Sequence, residues 1–286
     1  MALPGTSNEV LDAPSKEISP ENFRFLCETI CHDSGIILDE SKSYLIEARL
    51  MPIVRSEETQ SLDGLCNLIR AASGHIVRQK VVEAMTTNET LFFRDVRPFA
   101  ALEKTLLREF TREKAAGGQL LIWSAACSSG QEAYSLAMLW DQLKITGWHL
   151  QILGTDLSNL ILEKARTGKF SQLEVNRGLP ARYLVKYFTR TGMDWQISSD
   201  LMRMVTWEKF NLRNMMTGKG PFDIIMCRNV LIYFDKETKR AILQNMRRVL
   251  KPGGCLILGG SETTLGIDDA YQRREVNDTI VYQNPQ

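Results

Sequence analysis

An arginine followed by an asparagine at the end of a strongly apolar run is the first place where this sequence offers chemistry. In Cys227-Arg228-Asn229-Val230-Leu231-Ile232-Tyr233-Phe234 the pair closes FDIIMC (222–227), a run suited to a core strand. Charge at that point has little structural use and is well placed to meet a ligand. Thr86-Thr87-Asn88-Glu89-Thr90-Leu91-Phe92-Phe93-Arg94 likewise packs polar groups, two aromatics and a cation into one short stretch. A third stretch, Ala125-Ala126-Cys127-Ser128-Ser129-Gly130-Gln131-Glu132, is small and polar: its residues let backbone approach a ligand, and Gly130 supplies a positive φ. That signal is weak alone, because many strand–helix turns are rich in Ser and Gly. The turn also lacks G-x-G-x-x-G, which disfavours a dinucleotide. The fourth is Gly154-Thr155-Asp156. An acidic residue at a strand end is suited to accept hydrogen bonds from ribose hydroxyls, and equally suited to cap a helix starting at 158.

These stretches need elements to hold them. LLIWSAA (120–126) is a short continuous apolar run of the kind that fills a parallel strand buried on both faces. Helix 131–145, strand 149–154, helix 158–167, strand 222–227, helix 236–250, a Lys251-Pro252-Gly253-Gly254 turn and strand 255–259 follow. Alternation over that length predicts an open, mostly parallel sheet with helices on both faces. Ligands in such sheets bind outside the carboxyl ends of the strands, where three of the four stretches fall. Residues 193–207 (MDWQISSDLMRMVTW) alternate by two around Ser198-Ser199-Asp200 and predict an inserted β-hairpin.

Upstream the pattern is helical. Ser19-Pro20-Glu21 opens a helix with a capping Ser, a first-turn Pro and an acid at the positive end of the dipole. Further helices are expected at 41–54, 61–72 and 75–86, and a longer one over 95–115. The expected organisation is a loose tail at 1–16, a helical domain at 17–94, a linker helix at 95–118 and an α/β domain at 119–286, with its insertion at about 186–208.

Composition sets the outer limits. Apolar and charged fractions of 44% and 24% are those of a soluble globular protein. The net charge of +1 gives no global pull toward nucleic acid or an anionic membrane. Residues 1–90 carry eight Lys/Arg against fourteen Asp/Glu, leaving the remainder positive, which also suggests two domains. The six cysteines form no C-x-x-C pair and no metal-ligand spacing with the three histidines, so reduced thiols and no metal are expected. No apolar run of about 18 residues is present, and the N-terminus does not read as a signal peptide. A cytoplasmic location follows as the expectation.

TTNETLFFR (86–94), SAACSSGQEAYSLAM (124–138), GTDLS (154–158), FNL (210–212), FDIIMCRNVLIYF (222–234) and LKPGG (250–254) occur in the order found in the chemotaxis-receptor glutamate methyltransferases. The sequence resembles that family from about residue 20 to 283. TTNET-x-FFR together with CRNV-x-IYF is specific to it, whereas other sheet-type methyltransferases share only the general nucleoside-site features. The resemblance implies an α/β class I methyltransferase (Rossmann-like) fold with a small antiparallel β-subdomain, preceded by an all-α N-terminal domain. It implies S-adenosylmethionine as cofactor and S-adenosylhomocysteine as product. Its contacts match Asn88, Thr90, Arg94, Glu132, Asp156, Asn211-Leu212 and Arg228-Asn229. Asp156 matches the ribose acceptor, Glu132 the partner of the cofactor's cationic amino-acid end, Asn211-Leu212 the segment near adenine, and Arg94 and Tyr233 the residues beside the transferred methyl. The family's first turn usually reads G-C-S-x-G-E-E-P-Y; Gln131 and Ala133 depart from it here, while Gly130 and Glu132 remain.

The reaction so implied is methyl transfer to a glutamate carboxylate, giving a γ-methyl ester. A carboxylate is already ionised at pH 7, so no general base is required, and His32, His75 and His149 lie outside the matched motifs. The implied partner is the cytosolic helical bundle of a transmembrane chemoreceptor, read by the N-terminal helices; Arg49 and Arg55 on SYLIEARLMPIVR are placed to face an acidic helix. Recruitment to receptor arrays and a monomeric state are expected. A methyltransferase acting on nucleic acid is disfavoured by Arg-Asn-Val-Leu at the fourth strand and by the lack of a basic stripe. A non-catalytic S-adenosylmethionine-binding regulatory module is the alternative.

Overall fold

Ser19-Pro20-Glu21 starts a helix as its chemistry dictates: in the computed structural model the Ser19 hydroxyl accepts the Asn22 N–H at 3.4 Å and Gly35, at φ 80°, ends helix α1 (Pro20–Ser34). The structure describes Ser15, residues 17–112 and residues 118–285. The chain divides into two compact units, Met1–Met85 and Thr86–Gln286. Apart from Ser15, the expected tail at 1–16 lies outside the described residues.

In the first unit α1 packs against α3 (Leu62–Arg70) and α4 (His75–Ala84), and α2 (Ser43–Ser56) against the same two helices. Leu26, Ile30, Ile46, Leu50, Leu65 and Val81 meet in its core, each essentially inaccessible. Burying each such side chain is worth roughly 1.5–3 kcal/mol. Asp63 ties α3 to α1 by accepting from the Ser19 N–H and hydroxyl, both at 3.1 Å, and from the Asn22 side chain at 2.6 Å. Arg49 donates to the Met85 carbonyl at 2.7 Å, whereas Arg55 is exposed. The two arginines therefore differ in what they offer a partner.

The second unit is built on a seven-stranded sheet. Its strands are β1 (Gly118–Ala125), β2 (Trp148–Asp156), β6 (Val205–Lys209), β7 (Phe222–Cys227), β8 (Leu250–Leu258), β9 (Gln272–Val276) and β10 (Thr279–Gln283), in the order β6-β2-β1-β7-β8-β10-β9. The first five run parallel, and β10 is antiparallel to both its neighbours. Two-sided burial follows from the period of two along a strand. Leu120 and Ile122 of β1 enter one core while Trp123 and Ala125 enter the other, and β8 splits Cys255 and Ile257 from Leu256 and Leu258 in the same way. The first core is covered by the segment α5 (Arg97–Ala101), a π turn Leu102–Leu106 and α6 (Leu107–Arg112), and by α7 (Gln131–Leu143). The second is covered by α12 (Lys236–Val249).

Between β2 and β6 the chain forms α8 (Asn159–Thr167), β3 (Lys169–Ser171), α9 (Gln172–Asn176), α10 (Ala181–Tyr187), β4 (Phe188–Thr191), β5 (Asp194–Ile197) and α11 (Ser199–Met202). β3, β5 and β4 make a small antiparallel sheet.

Three sequence expectations differ from this arrangement. The hairpin expected at 193–207 instead turns at Gly192-Met193, and Ser198-Ser199-Asp200 opens α11. Residues 205–209 join the main sheet parallel to β2. Alternation by two marks any half-buried strand and carries no information about its partner. The single helix expected over 95–115 begins only at Arg97, because Asp95 and Val96 take φ of 66° and 43°, and a π turn interrupts it. Residues 86–94, read with the N-terminal domain, belong to the second unit, where Phe92 and Phe93 are buried in its core.

Candidate active site

The carboxyl ends of β1, β2, β7 and β8 lie in neighbouring positions of the sheet, and the residues with chemistry rise from the turns that leave them. At β1 the chain turns sharply into α7: Ala126, Ser128 and Gly130 take φ of 56°, 51° and 89°. The Ser128 N–H donates to one oxygen of Asp156 at 2.9 Å, and the Ser158 N–H donates to the other at 3.0 Å. Asp156 is thus held at the end of β2 by two backbone amides. Ser158, and not Asp156, caps α8, its hydroxyl accepting the Ile161 N–H at 3.3 Å. The glycines have a further use. A Cβ on Gly130 or Gly154 would stand 2.7 or 2.5 Å from the Trp207 ring, so their smallness serves the packing of β6 against the turn.

Arg228 is the centre of the site. Its side chain is 2% exposed, one terminal nitrogen donating to Glu132 at 2.9 Å, the other to the Arg94 carbonyl and to Asp95, each at 2.7 Å. The Phe99 ring lies beneath it at 5.6 Å. Glu132 completes its pairing by accepting the Ser124 hydroxyl at 2.7 Å. A buried charge without a partner costs several kcal/mol, so Glu132 and Arg228 each require the other.

The segment 86–94 is brought to these strand ends. The Ser128 hydroxyl donates to the Asn88 carbonyl at 2.8 Å, the Phe93 N–H to Ser135 at 3.0 Å, and the Arg94 guanidinium to the Glu89 carbonyl at 2.9 Å. The Asn88 side chain is exposed and accepts the Thr86 hydroxyl at 3.1 Å; Thr90 is half-buried in the same stretch. After β6 the Phe210 N–H donates to the Asp156 carbonyl at 2.9 Å, which lays Asn211 and the buried Leu212 alongside the end of β2. Asn229 stands at φ 58°, and Tyr233 is half-buried in the 3-10 turn Leu231–Tyr233. Hydrogen bonds therefore join Asp156 and the Asn88 backbone through Ser128, and Glu132 and the Arg94 backbone through Arg228. Tyr233, Thr90 and Asn211 lie on the adjoining segments.

Among the described residues, three buried side-chain polar atoms have no partner: Arg228 Nε, Asn229 Oδ1 and Thr279 Oγ1. Two of them are neighbours at the end of β7. An orphaned donor and an orphaned acceptor on consecutive residues of a strand-end loop fit a ligand that presents both kinds of group. Thr279 lines a cavity of about 460 Å³ that also touches Asp95, Gly259, Glu262 and Tyr282.

Burial pushes the Cys127 thiol well above its ordinary value, and the carboxylates of Asp156 and Glu132 push it further. Burial does the same to Cys227, with Glu262 and Glu132 adding to it. Neither thiol is a nucleophile at neutral pH.

Sequence reasoning missed Asp95, Ser124 and Glu262. Glu262 lies four residues past the end of β8, in Gly259-Gly260-Ser261-Glu262. The argument that singled out Asp156, an acid at a strand's carboxyl end, applies to it equally.

A mostly parallel sheet whose strands stand in the order 3-2-1-4-5-7-6, the seventh antiparallel, with an acid ending the second strand, is the class I methyltransferase fold. The family model described as "CheR methyltransferase, SAM binding domain" matches residues 88–280. The chain is 40% identical over 269 residues to the chemotaxis protein methyltransferase Cher2 of Pseudomonas putida, covering 92% of this chain and 96% of that one. It is 42% identical over 270 residues to chemotaxis protein methyltransferase 1 of Pseudomonas aeruginosa, with the same coverage. Against chemotaxis protein methyltransferase 1 of Vibrio cholerae the identity is 38% over 271 residues, 93% of this chain and 98% of that one. The chain belongs to the CheR methyltransferase family.

Proposed function

We propose that this chain methylates glutamate side chains on a bacterial chemoreceptor, giving glutamyl γ-methyl esters and S-adenosylhomocysteine. One observation carries the reading beyond membership of the family: the Arg228 guanidinium binds Glu132 on the cofactor side and the Arg94 carbonyl on the side of the proposed acceptor. Two segments with different duties are thereby held to one cation.

Bound at these strand ends, S-adenosylmethionine supplies an electrophilic methyl on a sulfonium. Asp156, fixed at the end of β2 by the amides of Ser128 and Ser158, stands where a carboxylate accepts from ribose hydroxyls in sheets of this kind. Glu132 is committed to Ser124 and Arg228, and its remaining lone pairs face a cationic ligand group from a buried position. The orphaned Arg228 Nε and Asn229 Oδ1 suit the donors and acceptors of an amino-acid end. Asp95, Glu132, Asp156 and Glu262 outnumber Arg94 and Arg228, a balance that favours a ligand of net positive charge.

Arg94 orients the incoming carboxylate and Tyr233 supplies a wall or a hydrogen bond beside the methyl. With an acceptor already ionised, the work of the site is positioning, which can lower a barrier by roughly 7–11 kcal/mol. The N-terminal helices read the receptor's cytosolic bundle, with Arg55 the exposed cation of α2. The protein acts in the cytoplasm, at receptor arrays.

Calorimetric titration with S-adenosylmethionine and S-adenosylhomocysteine tests the cofactor half, and alkali-labile methyl incorporation into a purified cytosolic receptor fragment tests the acceptor half. The wild type is expected to bind both ligands and to form esters, and Asp156→Ala to weaken binding by about 10²-fold, the worth of two hydrogen bonds to a carboxylate. A folded wild type that binds without forming esters on any receptor fragment would reassign the chain to the regulatory-module alternative.

A further inference from the structure

The loop that carries Arg228, Asn229 and Tyr233 is held from outside by a single side chain. One Glu262 oxygen accepts the N–H groups of Asn229 and Gly259, each at 2.7 Å, and the other accepts those of Val230 at 2.9 Å and Leu231 at 2.7 Å. Four backbone donors thus converge on one carboxylate. Three of them belong to consecutive residues just past β7, where the strand has ended and ladder partners are no longer available. The fourth belongs to Gly259, just past β8.

This clamp explains two other features. Asn229 stands at φ 58°, a left-handed conformation that a non-glycine residue holds only when its surroundings impose it. Glu262 imposes it by taking the amides on both sides of that Cα. Gly259 has no room for a side chain: a Cβ there would meet Glu262 at 2.6 Å and the backbone and side-chain nitrogens of Asn229 at 2.8 Å. The residue must be glycine for the carboxylate to enter.

We infer that Glu262 is the positioning residue of the proposed reaction: it sets the backbone of Asn229–Leu231, and through it the Asn229 side chain and the turn bearing Tyr233. The assignment rests on the function proposed above. Glu262 touches neither methyl nor acceptor in this role; it acts through the loop. An amide in its place keeps the shape and turns half of the clamp into N–H donors facing N–H donors. An aspartate keeps the charge and draws it back by one methylene.

The test is cofactor affinity by titration and kcat on a purified cytosolic receptor fragment, both expressed per folded molecule from urea unfolding. Glu262→Gln is expected to bind S-adenosylmethionine about 10-fold more weakly, the cost of a misplaced hydrogen bond. Its kcat is expected to fall by roughly 10²-fold, the cost of a displacement of about 1 Å at the reacting centre. Glu262→Asp should recover part of the loss. Gly259→Ala, which keeps the Glu262 side chain but pushes its carboxylate out of the clamp, should reproduce the loss. A Glu262→Gln variant with wild-type affinity and kcat per folded molecule overturns the positioning role and leaves the proposed function standing. A folded wild type that binds neither S-adenosylmethionine nor S-adenosylhomocysteine removes both.

Discussion

Under the proposed function Arg94 has two separable duties, and a single substitution distinguishes them. Its carbonyl accepts from Arg228 and its guanidinium donates to the Glu89 carbonyl; in the proposed reaction the guanidinium also orients the acceptor carboxylate. Alanine removes the second duty and keeps the first. Arg94→Ala is therefore expected to lower kcat by roughly 10²–10³-fold, as loss of one charge-stabilising donor does, with the dissociation constant of S-adenosylmethionine nearly unchanged. Steady-state kinetics beside calorimetry checks it, and equal losses in both would make Arg94 a cofactor ligand alone. At this scale the sequence was informative wherever a charge stood at the end of an apolar run, as Arg228 and Asp156 do. For Glu262 it offered an acid just past a strand end but not its partners, which lie up to 33 residues away. It also concealed the use of Gly154, which is small because Trp207 lies over it.

Among the elements, α10 is tied to α7 by the Asp141 carboxylate, with Gln142 and the Met138 carbonyl also meeting the Tyr187 hydroxyl. Asp141 accepts from Lys144 at 2.8 Å, Lys186 at 2.9 Å and the Tyr187 hydroxyl at 2.7 Å. Partial burial works to raise its pKa, but the hydrogen bonds from Lys144, Tyr187 and Lys186 outweigh it and hold the carboxyl well below the ordinary range. A carboxyl depressed in the folded state contributes stability that is present above its unfolded value of about 3.9. That contribution is lost as pH falls toward the folded value. Asp141→Asn should lower the urea midpoint most at pH 5–7, with the gap to wild type closing progressively below about pH 4. A gap independent of pH would mean that the ionised form contributes nothing. The elements themselves were largely legible: caps, breakers and two-faced apolar runs are local signals, and they placed α1, α7, α8, β1, β2, β7 and β8. The π turn at 102–106 and the parallel pairing of β6 with β2 were not, because both depend on what packs against them.

Across the molecule the six cysteines report how each unit opens. Cys31 is exposed and Cys27 half-buried, while Cys66, Cys127, Cys227 and Cys255 are buried. Burial pushes Cys66 and Cys255 up to about 12, and Cys127 and Cys227 well above the ordinary value. Reactivity follows the thiolate and its access. A chromogenic disulfide at pH 8 is expected to modify Cys31 promptly and Cys27 more slowly. The other four should react only as denaturant opens the unit that holds them: Cys66 with the first, Cys127, Cys227 and Cys255 with the second. Mass spectrometry of the modified peptides checks the order, and prompt labelling of Cys127 in native protein would contradict the burial of the β1 turn.

By itself the sequence determined the strand-and-helix alternation, the caps, the strand-end acid at Asp156 and the Arg228-Asn229 pair. Those features are written in residue types a few positions apart, where backbone sterics and side-chain period act directly. Tertiary structure decided which unit residues 86–94 join, which strand Trp207 occupies, and that Arg228 would bridge Glu132 to a carbonyl 134 residues away. It decided too that Glu262 would gather four amides from two strand ends. Such contacts exist only after the register and order of the sheet are set, and that order is chosen by the burial of both faces together, which no local stretch encodes.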